Sequence, residues 1–476
     1  PARSTKHKAQ STKYRENALM KMADERFFQK DFPAEEFAIR RERVLDEVGG
    51  DAHVLLRGAS EEHGPRFLQS KTFFYFAGIV TPGAFLMLSG GDRKSTLYVA
   101  HRDPDKDPED TGVGVEDAAE IKAAIGVDEV RDVALLAGDL GAIKTLYVQD
   151  AEDEFACQTR FVGAARAGQR AENSWDGRPS DTQHFISLVK SHNNAIEIKS
   201  LTSIVAEMRR VKSVREVAVM RRAGYLSALA TTEAMRMTKV GLVERQLSAV
   251  ASYIYYTHGA TGEAYSQIIA AGNNMQYGHY WRNDAMLADG DIVLMDSAPD
   301  YAQYASDIGR IWPVNGTYAP WQRELYGYIT IYHKTLMGLL KPGVTKDGVQ
   351  EEAARIMADV LKKTEFSKDI YRKAAESVLQ SNPLSHPVGL AVHDGSPYKH
   401  KPLEPGVVLS VDPMMTVPEE ELYIRSEDTV VITEDGVENL TGSAPLTPDE
   451  IEATMKEVGA FPLYDTALEW DAGRKM

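Results

Sequence analysis

The sequence predicts an α/β protein of two domains, a smaller amino-terminal α/β domain followed by a larger α+β domain. Three observations lead there. Short apolar runs of strand length alternate with helix-like stretches through the first part of the chain. A polar, turn-rich segment, AGQRAENSWDGRPSDTQ at 167–183, then interrupts the alternation and marks a candidate boundary loop. Beyond it, long amphipathic helices precede apolar strand runs that end in acidic residues. With 476 residues, the chain has material for two cores.

Taken in order, residues 1–30 are polar and mixed in charge, and read as an extension. AEEFAIRRERVLDEVG follows as an amphipathic helix. HVLLRG, FFYFAGI, AFLMLSG and STLYVA read as strands, EDAAEIKAAIG as a helix, and TLYVQD as another strand. The expected first domain covers 31–190 and the second 191–476. Ser213 with Glu216 forms a capping box opening a helix that carries Val217, Met220, Gly224 and Ala228 at helical spacing. A helix around ERQLSAVASYIYYTHG comes next. YSQIIAAG, DIVLMD and a partner through YASDIGR are expected strands. The helix from Pro320 places Leu325, Tyr328, Ile329, Tyr332, Leu336 and Leu339 on one stripe, and Lys341-Pro342-Gly343 stops it. VVLSVDP and TVVITED close the set, with a turn at Asp435-Gly436.

Composition excludes several classes. A net charge of −16 opposes binding to nucleic acid or to an anionic membrane. No apolar run approaches the roughly 18 residues of a membrane-spanning helix. The single cysteine, Cys157, rules out an internal disulfide framework and is expected as a buried, inert thiol. This leans towards the reducing cytoplasm, although a periplasmic or secreted protein after signal removal would also fit.

The acids at strand ends carry the chemistry. Asp296 ends the run DIVLM, and Asp307 follows eleven residues later in MDSAPDYAQYASDIGR. A two-residue loop at Tyr301-Ala302 would pair Asp300 with Gln303 and set Asp296 opposite Asp307. Their Cβ atoms would then be about 4.5–5.5 Å apart. Two facing carboxylates repel, and a cation between them relieves that. A different pairing, with one Asp in a turn and the other in a salt bridge, satisfies the hairpin equally well. Downstream, SHPVGLAVHDGS offers His386 and His393, VVLSVDPMM offers Asp412, and YIRSEDTVVITEDG offers Glu427 and Asp428.

In this order and spacing, residues 195–445 resemble the pita-bread metallopeptidases, the family of creatinase, aminopeptidase P, prolidase and methionine aminopeptidase. The carrying motifs are MDSAPDYAQYASDIGRIWPVNGTY, SHPVGLAVHD, LEPGVVLSVDP and IRSEDTVVITEDGVENLT. KTFFYFAGIVTPGAFLML and HRDPDKDPEDTGVGVEDAAE resemble the amino-terminal domain of aminopeptidase P. The resemblance implies a creatinase-like amino-terminal α/β domain before a pita-bread (α+β) catalytic domain. It implies a metal set of Asp296, Asp307, His386, Asp412 and Glu427, with Asp307 and Glu427 bridging two divalent ions. It also implies substrate-contacting His279 and His393, a supporting Arg425, and Asp412 as general base. An oxygen-rich set with one imidazole suits manganese, with zinc and cobalt as alternatives. The implied activity is hydrolysis of the bond between an amino-terminal residue and a following proline, by a homo-oligomer, dimer or tetramer. A prolidase-like dipeptidase, or a non-peptidase pita-bread protein with an impaired metal site, is the alternative. Three positions depart from the family pattern: Asp412 stands where glutamate is usual, Gly309 where threonine is frequent, and Asn382 where histidine is frequent.

Overall fold

The computed structural model describes residues 31–60, 67–102, 112–151, 160–395, 398 and 400–460. The expected extension at 1–30 and Cys157 lie outside the described residues. The chain divides into two compact units between Glu207 and Met208.

In the first unit, β1 (Ala52–Arg57), β2 (Phe85–Ser89), β3 (Ser95–Val99), β4 (Glu129–Asp132), β5 (Thr145–Val148) and β6 (Glu197–Ser200) form one sheet. Its order is β4-β3-β2-β1-β5-β6. The β1–β2 and β2–β3 pairs are antiparallel, while β1–β5, β3–β4 and β5–β6 are parallel. The amphipathic helix Ala34–Val48 buries Phe37, Val44 and Leu45.

Three expectations are corrected here. FFYFAGI is not a strand: Lys71–Ala77 is a helix, capped by Ser70 Oγ accepting from the Phe73 amide at 3.2 Å and ended by Gly78 at φ 67°. All its residues are buried, so it has no polar face, and a short apolar run without one reads the same for helix and strand. The segment 167–183 is not one loop either. Helix Arg160–Glu172 runs into it and helix Asp181–His192 opens within it, behind the Ser180–Gln183 capping box. Helix-forming Ala, Arg, Gln and Glu outweigh the single Gly168. Finally, the division falls at 207/208 instead of 190/191, because β6 pairs in parallel with β5 and extends the first sheet.

The second unit opens with helices Val214–Met237 and Glu244–Thr257, the former capped by Ser213 and Glu216 as its sequence predicts. Its main sheet joins β8 (Ile268–Ala271), β9 (Ile292–Asp296), β11 (Ile308–Pro313), β12 (Val408–Val411), β15 (Glu427–Ile432) and β16 (Val437–Asn439). The order is β12-β15-β11-β9-β8, with β16 also on β15, and every pair is antiparallel. Two ribbons accompany it: β7 (Gly262–Glu263) with β10 (Pro299–Asp300), and β13 (Met414–Val417) with β14 (Leu422–Arg425). Helices Pro320–Leu339, Lys346–Lys363 and Asp369–Val378 complete the unit. One apolar core unites Leu247, Ile254, Leu294, Trp312, Leu325, Ile329 and Leu336 across sheet and helices.

The hairpin register differs from expectation. Asp296 lies opposite Gly309, not Asp307. The two-residue turn is Ala302-Gln303, both at positive φ (50° and 73°), with Tyr301 bridging Tyr304. Moving the turn by one residue moves the partner by two. A two-residue slip preserves the side-chain face, so Asp296 and Asp307 still point the same way, now diagonally.

Gly224 fixes how closely the first helix of this unit approaches the sheet. A Cβ there would meet the Leu440 carbonyl oxygen at 2.5 Å. Gly224→Ala should therefore lower stability by about 1–3 kcal/mol through overpacking, despite a helix-propensity gain of about 1 kcal/mol. Urea unfolding measures the difference.

Candidate metal centre

Four carboxylates reach one buried point because four strand ends deliver them. Asp296 is the last residue of β9, Asp307 precedes β11, Asp412 follows β12 and Glu427 opens β15. All four are at most 4% exposed. Glu427 and Asp296 both lie opposite Gly309, so they flank it across three adjacent strands. A Cβ on Gly309 would stand 3.1 Å from Glu427 Cβ and 3.4 Å from Arg425 Nε. The missing side chain is thus the space in which Glu427 and Arg425 sit.

Arg425, at the end of β14, holds the acids together. Its Nε and Nη2 donate to Asp412 Oδ1 and Oδ2 at 3.0 and 2.7 Å, and its Nη1 donates to Asp296 Oδ2 at 2.6 Å. Its Nη2 also contacts Glu427 Oε2. His386 places Nε2 3.4 Å from Asp307 Oδ2 and 3.8 Å from Glu427 Oε1. Asp307, His386 and Glu427 each offer an atom within 4.8 Å of the others, a spacing that one ion can span. Asp296 and Asp412 complete the gathering through Arg425, so all five sequence-predicted ligand positions converge.

Electrostatics express the crowding. Burial and then Asp307 push the Asp296 carboxyl up to about 7. Burial raises Asp412 against the pull of Arg425, and raises Glu427 well above its ordinary value. Burial would raise Asp307 too, but the hydrogen bond to His386 overcomes it and brings that carboxyl to about 2. The cluster wants more positive charge than Arg425 and His386 provide.

The predicted histidines differ in setting. His393 lies against His386 with ring centroids 3.9 Å apart and the rings tilted by 34°, and burial followed by the neighbouring His386 pushes its imidazole down to about 3. His279 is exposed at the rim. The surrounding protein and then Arg425 lower its pKa, and Asp307, His386 and Asp412 also act on it. Its loop is anchored beneath by Glu244, which accepts from Tyr280 Oη at 2.9 Å and from the Ala271 and Ala285 amides.

Sequence reasoning missed Tyr265. Its hydroxyl lies 2.5 Å from Asp296 Oδ1 and 2.6 Å from Asp307 Oδ1, bridging the two acids from a position just before β8. No local signal separates it from a core tyrosine. Asp428, noted beside Glu427, turns to the other face by strand alternation. There it meets Arg310 at 2.8 Å, His333 at 3.0 Å and Thr441 Oγ1 at 2.6 Å, behind the site.

Comparison with known proteins agrees with this geometry. Residues 218–434 match the model of Metallopeptidase family M24, and residues 37–149 match that of the aminopeptidase P N-terminal domain. Xaa-Pro aminopeptidase of Escherichia coli (strain K12) is 32% identical over 462 residues, covering 88% of this chain and 97% of its own. The Haemophilus influenzae Xaa-Pro aminopeptidase is 30% identical, covering 89% and 97%. The structure aligns with E. coli aminopeptidase P bound to the inhibitor Pro-Leu at a TM-score of 0.72 and 29% identity, over 89% of this chain and 98% of that one. The protein is thus a metal-dependent hydrolase, and the chain belongs to metallopeptidase family M24, with the amino-terminal domain of aminopeptidase P ahead of its catalytic domain.

Proposed function

We infer that the protein is an Xaa-Pro aminopeptidase, releasing the amino-terminal residue of peptides whose second residue is proline. The observation that carries this reading is the convergence of four buried carboxylates and His386, with His393 and His279 nearby, in a chain similar to an Xaa-Pro aminopeptidase over 88% of its length.

The donor set fits divalent cations. Four buried acids face one arginine, three of them raised towards protonation by burial, and three donors already lie within reach of one ion. Asp307, Glu427, His386 and Asp412 would hold one ion, and Asp296 with the shared Asp307 and Glu427 a second. Manganese suits this oxygen-rich set, and zinc or cobalt can replace it. When bound, such a pair supplies Lewis-acid polarisation of the scissile carbonyl and makes water a nucleophile at neutral pH.

The chain's own groups do the rest. Asp412, oriented by two hydrogen bonds from Arg425, accepts a proton from the attacking water and returns it to the departing proline nitrogen. His393 is a neutral imidazole at pH 7 and donates its N–H to the developing oxyanion. His279 would contact the substrate. We also propose that the enzyme works as a homo-oligomer, a dimer or tetramer, which light scattering reads directly. Among the described residues no helix is long and apolar enough to cross a membrane.

Manganese-loaded enzyme should hydrolyse Xaa-Pro-Xaa peptides. Cleavage confined to Xaa-Pro dipeptides would mark a dipeptidase instead, and cleavage of neither would overturn the reading. Asp307→Ala removes the acid nearest His386, which Tyr265 also contacts, and should abolish both metal retention and turnover; full turnover would misplace the site. Tyr265→Phe should weaken metal binding about tenfold to a hundredfold, read by calorimetry. The pH dependence has a defined sign. Asp296 is raised to about 7 in the folded apo protein, against an unfolded value of about 3.9. Ionising it therefore costs apo stability as pH rises from about 4 to 7, and a cation removes that cost. The metal-induced rise in Tm should be larger at pH 8 than at pH 6.

A further inference from the structure

The histidine loop 385–394 is fastened to the sheet unevenly. Its first half is held by backbone. Pro387 bridges Leu409, the Ser410 amide donates to the His386 carbonyl at 2.9 Å, and the Val388 amide donates to Val408 at 3.2 Å. Among the described residues, no backbone hydrogen bond joins the return half, which carries His393, to β12. Val392 packs on the small cluster of Ala264, Tyr265, Ala298 and Ala305. The other anchor is the side chain of Asp394.

Asp394 is 2% exposed, and its carboxylate meets two buried cations. Arg209 Nη2 contacts Oδ1, and Lys212 Nζ lies 3.2 Å from Oδ2. The segment bearing these cations is itself tied to the chain that leads into β12 and Asp412. Val211 bridges Val407, and the Lys212 amide donates to the Gly406 carbonyl at 2.9 Å. Gly406, at φ 89°, permits that approach, since a Cβ would lie 2.7 Å from the Lys212 carbonyl oxygen. Within the loop, Gly389 leaves the room the carboxylate occupies; a Cβ there would fall 2.0 Å from Asp394 Oδ2. The Asp394 amide closes the loop on the Pro387 carbonyl at 3.0 Å.

We propose that the buried Arg209–Asp394–Lys212 clamp is a positioning device that holds His393 against His386, in register with the strand delivering Asp412. Asp394, Arg209 and Lys212 are positioning residues acting through His393. Two buried cations on one carboxylate make the anchor stiff, and a displacement of about 1 Å at a reacting group costs on the order of a hundredfold in rate. The inference rests on the aminopeptidase reading for its kinetic consequence, but its structural half stands apart from it.

The test uses the full-length, manganese-loaded enzyme. Lys212→Met keeps the Arg209–Asp394 pair and removes one anchor. It should lower kcat about fivefold to tenfold with KM within about twofold and metal content unchanged, and Lys212→Arg should restore most of the loss. In a His393→Ala background the same change should cost less than about twofold, because the clamp then has nothing to position. Gly389→Ala, which displaces the Asp394 carboxylate without altering charge, should reproduce the pattern if Lys212→Met folds poorly. Wild-type kcat in these variants, or losses that multiply undiminished with His393→Ala, would overturn the proposal. Amide hydrogen exchange supplies a readout independent of activity: residues 389–395 should exchange at least about tenfold faster in Lys212→Met, with β12 unchanged. Unaltered exchange overturns the clamp even if no Xaa-Pro peptide is cleaved, while faster exchange without any wild-type turnover upholds the clamp and rejects the aminopeptidase reading.

Discussion

The catalytic unit is organised around the cost of gathering four carboxylates away from water. Each buried charge loses solvation, and each neighbour adds repulsion in a medium where charges are poorly screened. Arg425 offsets part of this by touching Asp296, Asp412 and Glu427 at once, while His386 serves Asp307. The remainder is what makes the site a receptor for divalent cations. The sheet that carries the acids shares the exclusion of water: β9, β11, β12 and β15 are buried along their whole lengths.

Strand alternation divides the acids between two tasks. Glu427 faces the metal centre, and its neighbour Asp428 faces the opposite side, where Arg310, then His333 and Thr441, hold its carboxyl far below the ordinary range against the effect of burial. Arg310 also donates to the Glu427 carbonyl at 2.6 Å, so the rear network fixes the backbone from which the ligand acid projects. One buried ion pair thus serves as a mount for a site on the other face of the strand.

Two of the three departures from the family pattern, at 412 and 309, are connected. Asp412 is one methylene shorter than the usual glutamate, yet Arg425 grips both its oxygens. Gly309 lies beside the same arginine, where a larger side chain would press on Glu427 and Arg425. Loss of bulk at 309 and loss of length at 412 occur on either side of one guanidinium. The β13–β14 ribbon that follows Asp412 is regularly paired from Met414–Arg425 to Val417–Leu422, so the segment after the shorter acid is ordered by the strand that delivers Arg425 itself.

Much was legible in the sequence because it is encoded locally. Apolar runs ending in Asp296, Asp412 or beginning at Glu427 mark strands that present acids at their ends, and Ser213 with Glu216 or the stripe from Leu325 to Leu336 mark helices, since periodicity and caps are properties of neighbouring residues. The tertiary structure decided what lies beyond that range. A single-residue shift of the turn set the register of Asp296; FFYF, whose apolar run reads equally as strand, formed a helix; and Tyr265 reached Asp307 across 42 positions. Arg209 met Asp394 across 185. Residues that far apart are joined only by packing of the whole sheet, so their contacts leave no periodic trace in the chain, whereas the acids they hold in place do.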